Sequence, residues 1–529
     1  MTATNTPQSQ VSSWQAFKLA YVNRQALAML FLGFSAGIPI LLIFSSLGLW
    51  LREAGIDRAT VTMFSWAALG YSFKFIWSPL VDTLPLPIIN RWLGHRRSWL
   101  FFTQVMVIIA ICVMANTDPV GNALTVMAMG AVLLGFASAT QDIVIDAYRI
   151  ECAASEQQTA LSACYVGGYR IGMIVSGAGA LYLADFFGST EAAYSYAAWQ
   201  KTYLIMAATM LIGVATTLSI REPQFRVNKA TLPTMDYVRL VAVFALSVVA
   251  FIIAYRWLGG VLPETDGVGL AFLLGCVQFV GSGVVMATVG LLLVQTGVVA
   301  KQVANETWIT PITDFFKRYG KKAMLVLALI GLYRISDIVA GNISNLFYQD
   351  LGFSKTQIAD AVKVVGVISS IGGAFVGGWV AQKIGVIKAM MVGAILACIT
   401  NLLFILLFYA TNIATMYVAV ILDNLAAGLA TGVFIAFLSA LTSIRFTAVQ
   451  YALFSSLMTL SPKILGGYSG AIVEATSYPV FFMITFLMGV PVLLLVYLVG
   501  KYIDLGDDKL TFNDEQNNKS HDNSNKKTV

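Results

Sequence analysis

Charge is what this sequence has least of. Only 11% of its 529 residues are Asp, Glu, Lys or Arg, while 58% are hydrophobic and the mean hydropathy is +0.77. A soluble globular chain carries about 25% charged residues, and a chain this poor in charge could not cover its own surface in water. Histidine is almost missing: His95 and His521 are too few for a histidine-based metal site, and neither falls in an apolar span where Ser/His/Asp chemistry would need one. The five cysteines, Cys112, Cys152, Cys164, Cys276 and Cys398, are odd in number and show neither CxxC nor Cys/His zinc spacing, so no disulfide framework is expected. Phosphate-cradling loops, a nucleophile elbow and HExxH are also missing from the sequence. No catalytic residue, metal, cofactor or nucleic-acid partner is therefore expected, and the net charge of +6 speaks to membrane orientation.

What is there is apolar sequence in long runs. Runs near 26–50, 60–80, 99–116, 122–147, 159–184, 199–220, 237–257, 268–300, 323–347, 356–381, 385–410, 412–441, 451–474 and 479–500 each approach the ~20 residues that a helix needs to cross a bilayer. The expectation is an all-α integral membrane protein with 14 transmembrane helices. Residues 1–25 are polar and show no apolar core with a cleavage site, so no removable leader is expected. With the N-terminus inside, 23 Lys and Arg fall on inner loops and tails, against only Arg52, Arg58, Lys201, Arg256 and Lys355 outside. That bias predicts that both termini are cytoplasmic. The Asp-, Asn- and Lys-rich stretch 504–529 reads as a disordered cytoplasmic tail.

The chain repeats itself. Leu51-Arg-Glu-Ala-Gly55-Ile-Asp-Arg-Ala-Thr60 returns as Tyr348-Gln-Asp-Leu-Gly352-Phe-Ser-Lys-Thr356, and Arg170-Ile-Gly172 is echoed by Lys463-Ile-Leu-Gly466. After the second span of each half comes a basic, glycine-bounded turn. One copy is Gly378-Trp-Val-Ala-Gln382-Lys383-Ile-Gly385; the other, stretched, is Ser78-Pro79-Leu-Val-Asp82 followed by Gly94-His-Arg96-Arg97. Both fit the signature G-x-x-x-D-(R/K)-x-G, with Gln for Asp in the second. Six spans before and six after a long middle segment is the layout of a major facilitator transporter. The expected organisation is a cytoplasmic segment 1–25, a six-helix bundle 26–220, a linker 221–322 with two inserted helices and a basic stretch, a second bundle 323–503, and the tail 504–529. Asp82, Arg96 and Arg97 are then gate residues that latch one conformation.

Ionisable residues at membrane depth cost ~2.5–3.5 kcal/mol each on insertion scales, so each invites a functional reading beside the plainer one of helix-holding pairs. They are Lys74, Asp142, Asp146, Arg170, Arg334, Asp337, Asp360, Lys363, Asp423 and Lys463. Asp142, Asp146 and Arg149 share one helical face, with Arg149 and Asp146 as a further gate pair and Gln141 and Asp142 deeper. Lys74, Gln141, Arg170, Arg334 and Lys463 are candidate contacts for an anionic substrate. Among aromatic residues near the charges, which also include Trp66, Tyr169 and Tyr333 are candidate ligands. A buried carboxylate favours its neutral form and a basic neighbour opposes that, so Asp142, Asp337 and Asp423 are candidates for carrying a proton.

Several strings resemble one family, the AmpG-type muropeptide permeases of the bacterial inner membrane. They are Gly33-Phe-Ser-Ala-Gly37-Ile-Pro39, Phe73-Lys74-Phe-Ile-Trp77-Ser-Pro79-Leu-Val-Asp82, Ala137-Ser-Ala-Thr-Gln141-Asp142-Ile-Val-Ile-Asp146-Ala147, Gly168-Tyr-Arg170-Ile-Gly172 and Pro311-Ile-Thr-Asp314-Phe315-Phe316. The resemblance implies proton-driven import of N-acetylglucosaminyl-anhydro-N-acetylmuramyl peptides, which feed cell-wall recycling and in some bacteria signal β-lactamase induction. It implies the proton gradient as energy source, the lipid bilayer and an anionic amino-sugar peptide as partners, and a monomer. Two departures stand out: the extra helix pair lies between the halves here, and Tyr333-Arg-Ile-Ser-Asp337 is only loosely similar. Acetyl-CoA transporters are related, so acetyl-CoA or another anionic solute is the second reading. A membrane receptor or an intramembrane enzyme is a remote third.

Overall fold

The computed structural model describes residues 21–56, 60–61, 64, 67, 69–120, 123–154, 157–189, 193–223, 232–263, 268–466 and 469–503. The expectations for the N-terminal segment up to residue 20, for Trp66 and for the 504–529 tail lie outside them. The described chain is helical with no β-sheet, as hydrocarbon demands of a backbone that must satisfy its own polar groups. The helices used below are α1 Arg24–Ile43, α2 Ser45–Glu53, α3 His95–Ala115, α4 Leu124–Cys152, α5 Gln158–Ile174, α6 Tyr196–Thr209, α7 Leu211–Ser219, α8 Thr234–Val261, α9 Val268–Gln295, α10 Ala323–Leu332, α11 Ile335–Asp350, α12 Val367–Ile384, α13 Val386–Tyr409, α14 Ile413–Leu441, α15 Thr447–Gly466 and α16 Tyr478–Tyr502.

Among the described residues, 11 helices are long and apolar enough to cross a membrane, against the 14 expected. The runs 60–80, 159–184 and 451–474 fall outside that set. In the first, only Leu69–Phe73, a 3-10 turn Lys74–Ile76 and Ser78–Thr83 are described as helix. In the second, glycines and Arg170 dilute the apolar content, and α5 passes through a π-helical turn at Val175–Gly179. In the third, the described helices are α15, to Gly466, and Ser469–Ala475. The first span, Arg24–Glu53, tolerates Pro39 inside α1 and is interrupted only at Phe44, between α1 and α2.

By packing, the chain forms two units. One comprises Met1–Ile76, Leu86–Arg226 and Tyr319–Val529; the other comprises Trp77–Pro85 and Val227–Arg318. Apart from Trp77–Pro85, both repeated halves belong to the first unit, and the repeat is visible in its turns. Gly55 and Gly352 end the matching helices α2 and α11 at φ +81° and +86°. Gly94 and Gly385, which close the two copies of the basic turn, take φ +83° and +87° and start α3 and α13. A side chain would strain all four positions. The matched helices α4 and α14 each run 29 residues.

Glycine also sets how closely helices approach. A Cβ on Gly168 of α5 would lie 1.9 Å from the Leu30 carbonyl oxygen of α1, and one on Gly37 would lie 2.1 Å from that of Tyr169. In the second half, a Cβ on Gly428 of α14 would meet the Ser370 carbonyl oxygen of α12 at 2.0 Å. These backbone-tight pairs face one another: α5 packs against both α12 and α14, and the Tyr21 hydroxyl donates to the Phe375 carbonyl at 3.2 Å. In the second unit, α8 and α9 form a hairpin in which Gln278 donates to the Tyr255 carbonyl at 2.7 Å and Phe251 meets Phe279 edge-on. Its small core joins Leu80, Leu240, Val243, Val299 and Ala304.

Candidate functional site

The charged residues at depth collect in two places within the first unit. One lies at the C-terminal end of α4. There Arg149 is fully buried and donates to four groups: Ser162 Oγ at 2.9 Å, Ser439 Oγ at 2.7 Å, Asp146 Oδ1 at 3.1 Å and the face of the Tyr451 ring, 5.0 Å from its centroid. Ser439 and Tyr451 belong to the second half, so a single guanidinium ties the halves together. Asp146 is shared, with Lys74 Nζ 3.7 Å from its Oδ2. Next to this, Arg96 makes a two-pronged ion pair with Glu151, Nε to Oε2 at 3.0 Å and a terminal nitrogen to Oε1 at 2.6 Å. The same arginine donates to Thr447 Oγ1 of the second half at 3.0 Å, and the Thr447 hydroxyl donates to Glu151. Gln158 caps the end of α4 by donating to the carbonyls of Arg149, Ile150 and Ala153. Both ion pairs lie within the first half and reach the second through Ser439, Tyr451 and Thr447, and losing one partner of either pair would strand a charge in low dielectric.

The other place lies deeper. Gln141 donates to Ser35 Oγ at 3.0 Å, yet its own Oε1 is buried with no hydrogen-bond partner, and so is Asp142 Oδ1. Asp142 is within electrostatic reach of Lys74 and Asp146. Tyr71 closes the wall by donating to Ser138 at 2.6 Å. On the second half, Arg334 donates from Nε to Asp337 Oδ2 at 2.9 Å and to Thr431 Oγ1 at 2.6 Å. Asp423 accepts from Thr400 at 3.1 Å and is within reach of Arg334 and Asp337, so two carboxylates share one guanidinium. Arg170, from the first half, feels both Arg334 and Asp337. Among the described residues its only hydrogen bond is a weak one to the Met173 sulfur at 3.9 Å. The centre thus presents a half-buried cation with no carboxylate bound to it, and buried acceptors still to be filled.

Comparison with known proteins follows the same division. The pattern described as Major Facilitator Superfamily matches residues 325–519, and that described as Acetyl-coenzyme A transporter 1 matches 25–196. The chain is 30% identical over 478 residues to the anhydromuropeptide permease of Escherichia coli K12, covering 90% of this chain and 80% of the relative. The chain belongs to the AmpG-type permease family. It is also 30% identical over 472 residues to a Rickettsia conorii transporter bearing the name AmpG 4, covering 89% and 95%. Among solved structures, the proton:xylose symporter XylE superposes with a TM-score of 0.58 at 13% identity, covering 92% of this chain and 97% of the other. FucP, in its outward conformation, gives 0.57 at 10% identity, covering 90% and 99%. At such identities they establish the major facilitator fold alone. The permease is therefore an all-α, multi-pass membrane transporter and not an enzyme.

In this permease the expected site residues separate by position. Lys74, Asp146, Arg149 and Arg96 gather at the C-terminal end of α4, and Gln141, Asp142, Arg170, Arg334, Asp337 and Asp423 belong to the deeper group. Tyr169 is half-buried beside Tyr165, with ring centroids 6.1 Å apart. Three expectations change. Tyr333 stacks on Phe434 at 4.4 Å and its hydroxyl donates to the Met390 carbonyl at 2.9 Å, so its polar atom is committed to packing. Arg97 bridges no halves: it donates to the carbonyls of Thr217 and Leu218, capping α7. Asp360 and Lys363 are exposed beside the start of α12. Asp82 belongs to the second unit, buried in Ser78–Thr83, and the side chain of Lys463 lies outside the described residues. Glu151, Ser162, Ser439, Thr447 and Tyr451 went unnoticed in the sequence. Of these, only Glu151, a carboxylate two residues beyond Arg149, carried a signal.

Proposed function

We propose that the permease imports anhydromuropeptides, N-acetylglucosaminyl-anhydro-N-acetylmuramic acid with or without its peptide, from periplasm to cytoplasm across the bacterial inner membrane, driven by protons. The observation that carries this reading is Arg170: a half-buried cation at the centre, without a carboxylate of its own, opposite the Arg334–Asp337 pair of the other half. A lactyl or peptide carboxylate on Arg170 would complete the charge balance and draw the halves together. The orphaned Asp142 oxygen and Gln141 carbonyl offer acceptors to sugar hydroxyls, and Tyr169 offers a ring face.

Proton coupling follows from the same arithmetic. A proton on Asp142 removes one of the two carboxylates that Lys74 serves and leaves Lys74 to Asp146. In the second half, Asp337 and Asp423 hold one more negative charge than Arg334 cancels. The loaded site therefore takes up an anion and a proton together, close to charge neutrality. The Arg149 and Arg96 networks belong to a transporter closed toward the cytoplasm, with the basic end inside by the Lys and Arg bias. Lys463 would act with Arg170, and Asp82 would act as a latch in its own segment. The expected working unit is a monomer, with 221–322 as an inserted segment between the bundles.

The test is uptake of labelled anhydromuropeptide into right-side-out vesicles, with and without an uncoupler, and with unlabelled muropeptide or acetyl-CoA in excess. Gradient-dependent uptake blocked by muropeptide alone is the expected result. Competition by acetyl-CoA would favour the second reading, for which the match over residues 25–196 speaks. No uptake under a verified proton gradient would overturn the muropeptide assignment and leave the fold untouched.

A further inference from the structure

A cavity lined by two arginines lies at the basic end of the first half, apart from the charged residues described above. It encloses about 390 Å³, within the size range of small-ligand sites. It is built where three transmembrane helices end: Asn23, Arg24 and Gln25 at the start of α1, Tyr148 and Cys152 at the end of α4, and Ile220 to Pro223 just beyond α7. Its walls are fixed by hydrogen bonds. Gln25 donates to the Cys152 carbonyl at 2.6 Å, the Tyr148 hydroxyl donates to the Arg221 carbonyl at 3.0 Å, and Arg24 donates to the Ser219 carbonyl.

Its charge is one-sided. Two guanidiniums, Arg24 and Arg221, line it, and neither forms an ion pair among the described residues. The single lining carboxylate, Glu222, is turned elsewhere: it accepts from the backbone amides of Arg96 at 2.9 Å and Arg97 at 3.2 Å. The helices that form it also carry exposed apolar side chains. Leu27 and Phe31 follow Arg24 along one face of α1, and Leu211 and Leu218 stand out from α7, which packs on α1. Paired arginines at a helix-end pocket above an apolar wall match a phosphate with acyl chains attached.

We propose that this cavity binds the headgroup of an anionic phospholipid, its phosphate between Arg24 and Arg221 and an acyl chain along α1 and α7. A soluble phosphate shares the charged contact and lacks the apolar one, which tells the two sources apart.

The experiment measures the thermal unfolding midpoint of the full-length, detergent-purified protein titrated with phosphatidylglycerol, phosphatidylcholine or inorganic phosphate. Variants are Arg221→Gln, the double variant Arg24→Gln/Arg221→Gln, and Lys388→Gln as an exposed cation elsewhere. Phosphatidylglycerol alone should raise the midpoint of the parent protein. Arg221→Gln should weaken that response about tenfold, as loss of one charge-assisted contact does; the double variant should abolish it, and Lys388→Gln should leave it intact. Among the described residues the Arg221 side chain has no partner to lose, so the single variant carries the test if the double one fails to fold. An equal response in parent and Arg221→Gln, a response to phosphatidylcholine of the same size, or a response to inorganic phosphate alone would overturn the proposal. Uptake is not the readout, so failure here leaves the transport reading standing.

Discussion

The two halves of this permease handle their buried charge in different ways. In the first half, Lys74 and Arg149 share Asp146, Arg149 reaches across to Ser439, and Asp142 is left with an unpaired oxygen. In the second half, Arg334 is clamped by Asp337 three residues on and by Thr431, with Asp423 close by. One set reaches across to the other half and leaves a buried oxygen unpaired; the other is compact and keeps its hydrogen bonds within its own half. A charge whose partners lie on a moving body reports on conformation, whereas one whose partners lie on its own body holds a shape. The first half therefore reads as the switch and the second as the anchor.

That contrast can be broken from either side. Arg149→Met should have the largest effect: it strands Asp146 and cuts both links to the second half, a loss of the order of 3–5 kcal/mol for a broken buried pair. The expected outcome is a lower unfolding midpoint and no uptake, with Arg149→Lys restoring little because it cannot reach four acceptors. The paired carboxylates come next. Asp337→Asn should destabilise the protein, because Arg334 loses its clamp. Asp142→Asn removes no hydrogen bond at Oδ1 and should change stability by less than about 1 kcal/mol, while uptake loses its response to an uncoupler. If both variants behave alike in unfolding and uptake, the distinction between switch and anchor is wrong.

Two milder changes sharpen the picture. Arg170→Gln should raise the half-saturating substrate concentration about tenfold, the worth of one charged hydrogen bond, with the unfolding midpoint kept. A drop in maximal rate at unchanged half-saturation would place Arg170 in the conformational step instead. Thr447→Val, which takes a hydroxyl away from the Arg96–Glu151 pair, should cost about 1–3 kcal/mol. It should speed cysteine labelling at the basic end in the absence of substrate; unchanged labelling would mean that this network does not seal it.

Much of the architecture was legible beforehand, and for specific reasons. Gly55 and Gly352, and Gly94 and Gly385, announced matching turns, since a left-handed backbone favours glycine. The span count was less legible. Periodicity and hydropathy register length and composition, and neither shows that helix gives way to a 3-10 turn at Lys74 or to a π-helical turn at Val175. At the site, the ionisable residues stood out by rarity, but their partners did not. Arg97, adjacent to Arg96 and identical in type, was given the same gate role. The structure turns it to the end of α7 while Arg96 turns inward to Glu151. Tyr333, read as a ligand beside Arg334, packs its hydroxyl away.

The sequence alone determined that this chain lives in a bilayer, that it is two related halves, and which few side chains carry charge at depth. Each of those follows from composition or local spacing, because hydrocarbon penalises charge wherever it sits. Only the tertiary structure decided which charges meet. Arg96 finds Glu151 55 residues away, and Arg149 finds Ser439 290 residues away. Low dielectric requires a buried charge to have a partner but does not say which. That choice belongs to the glycine-tight approach of α5 and α1, and of α12 and α14, which sets what faces what.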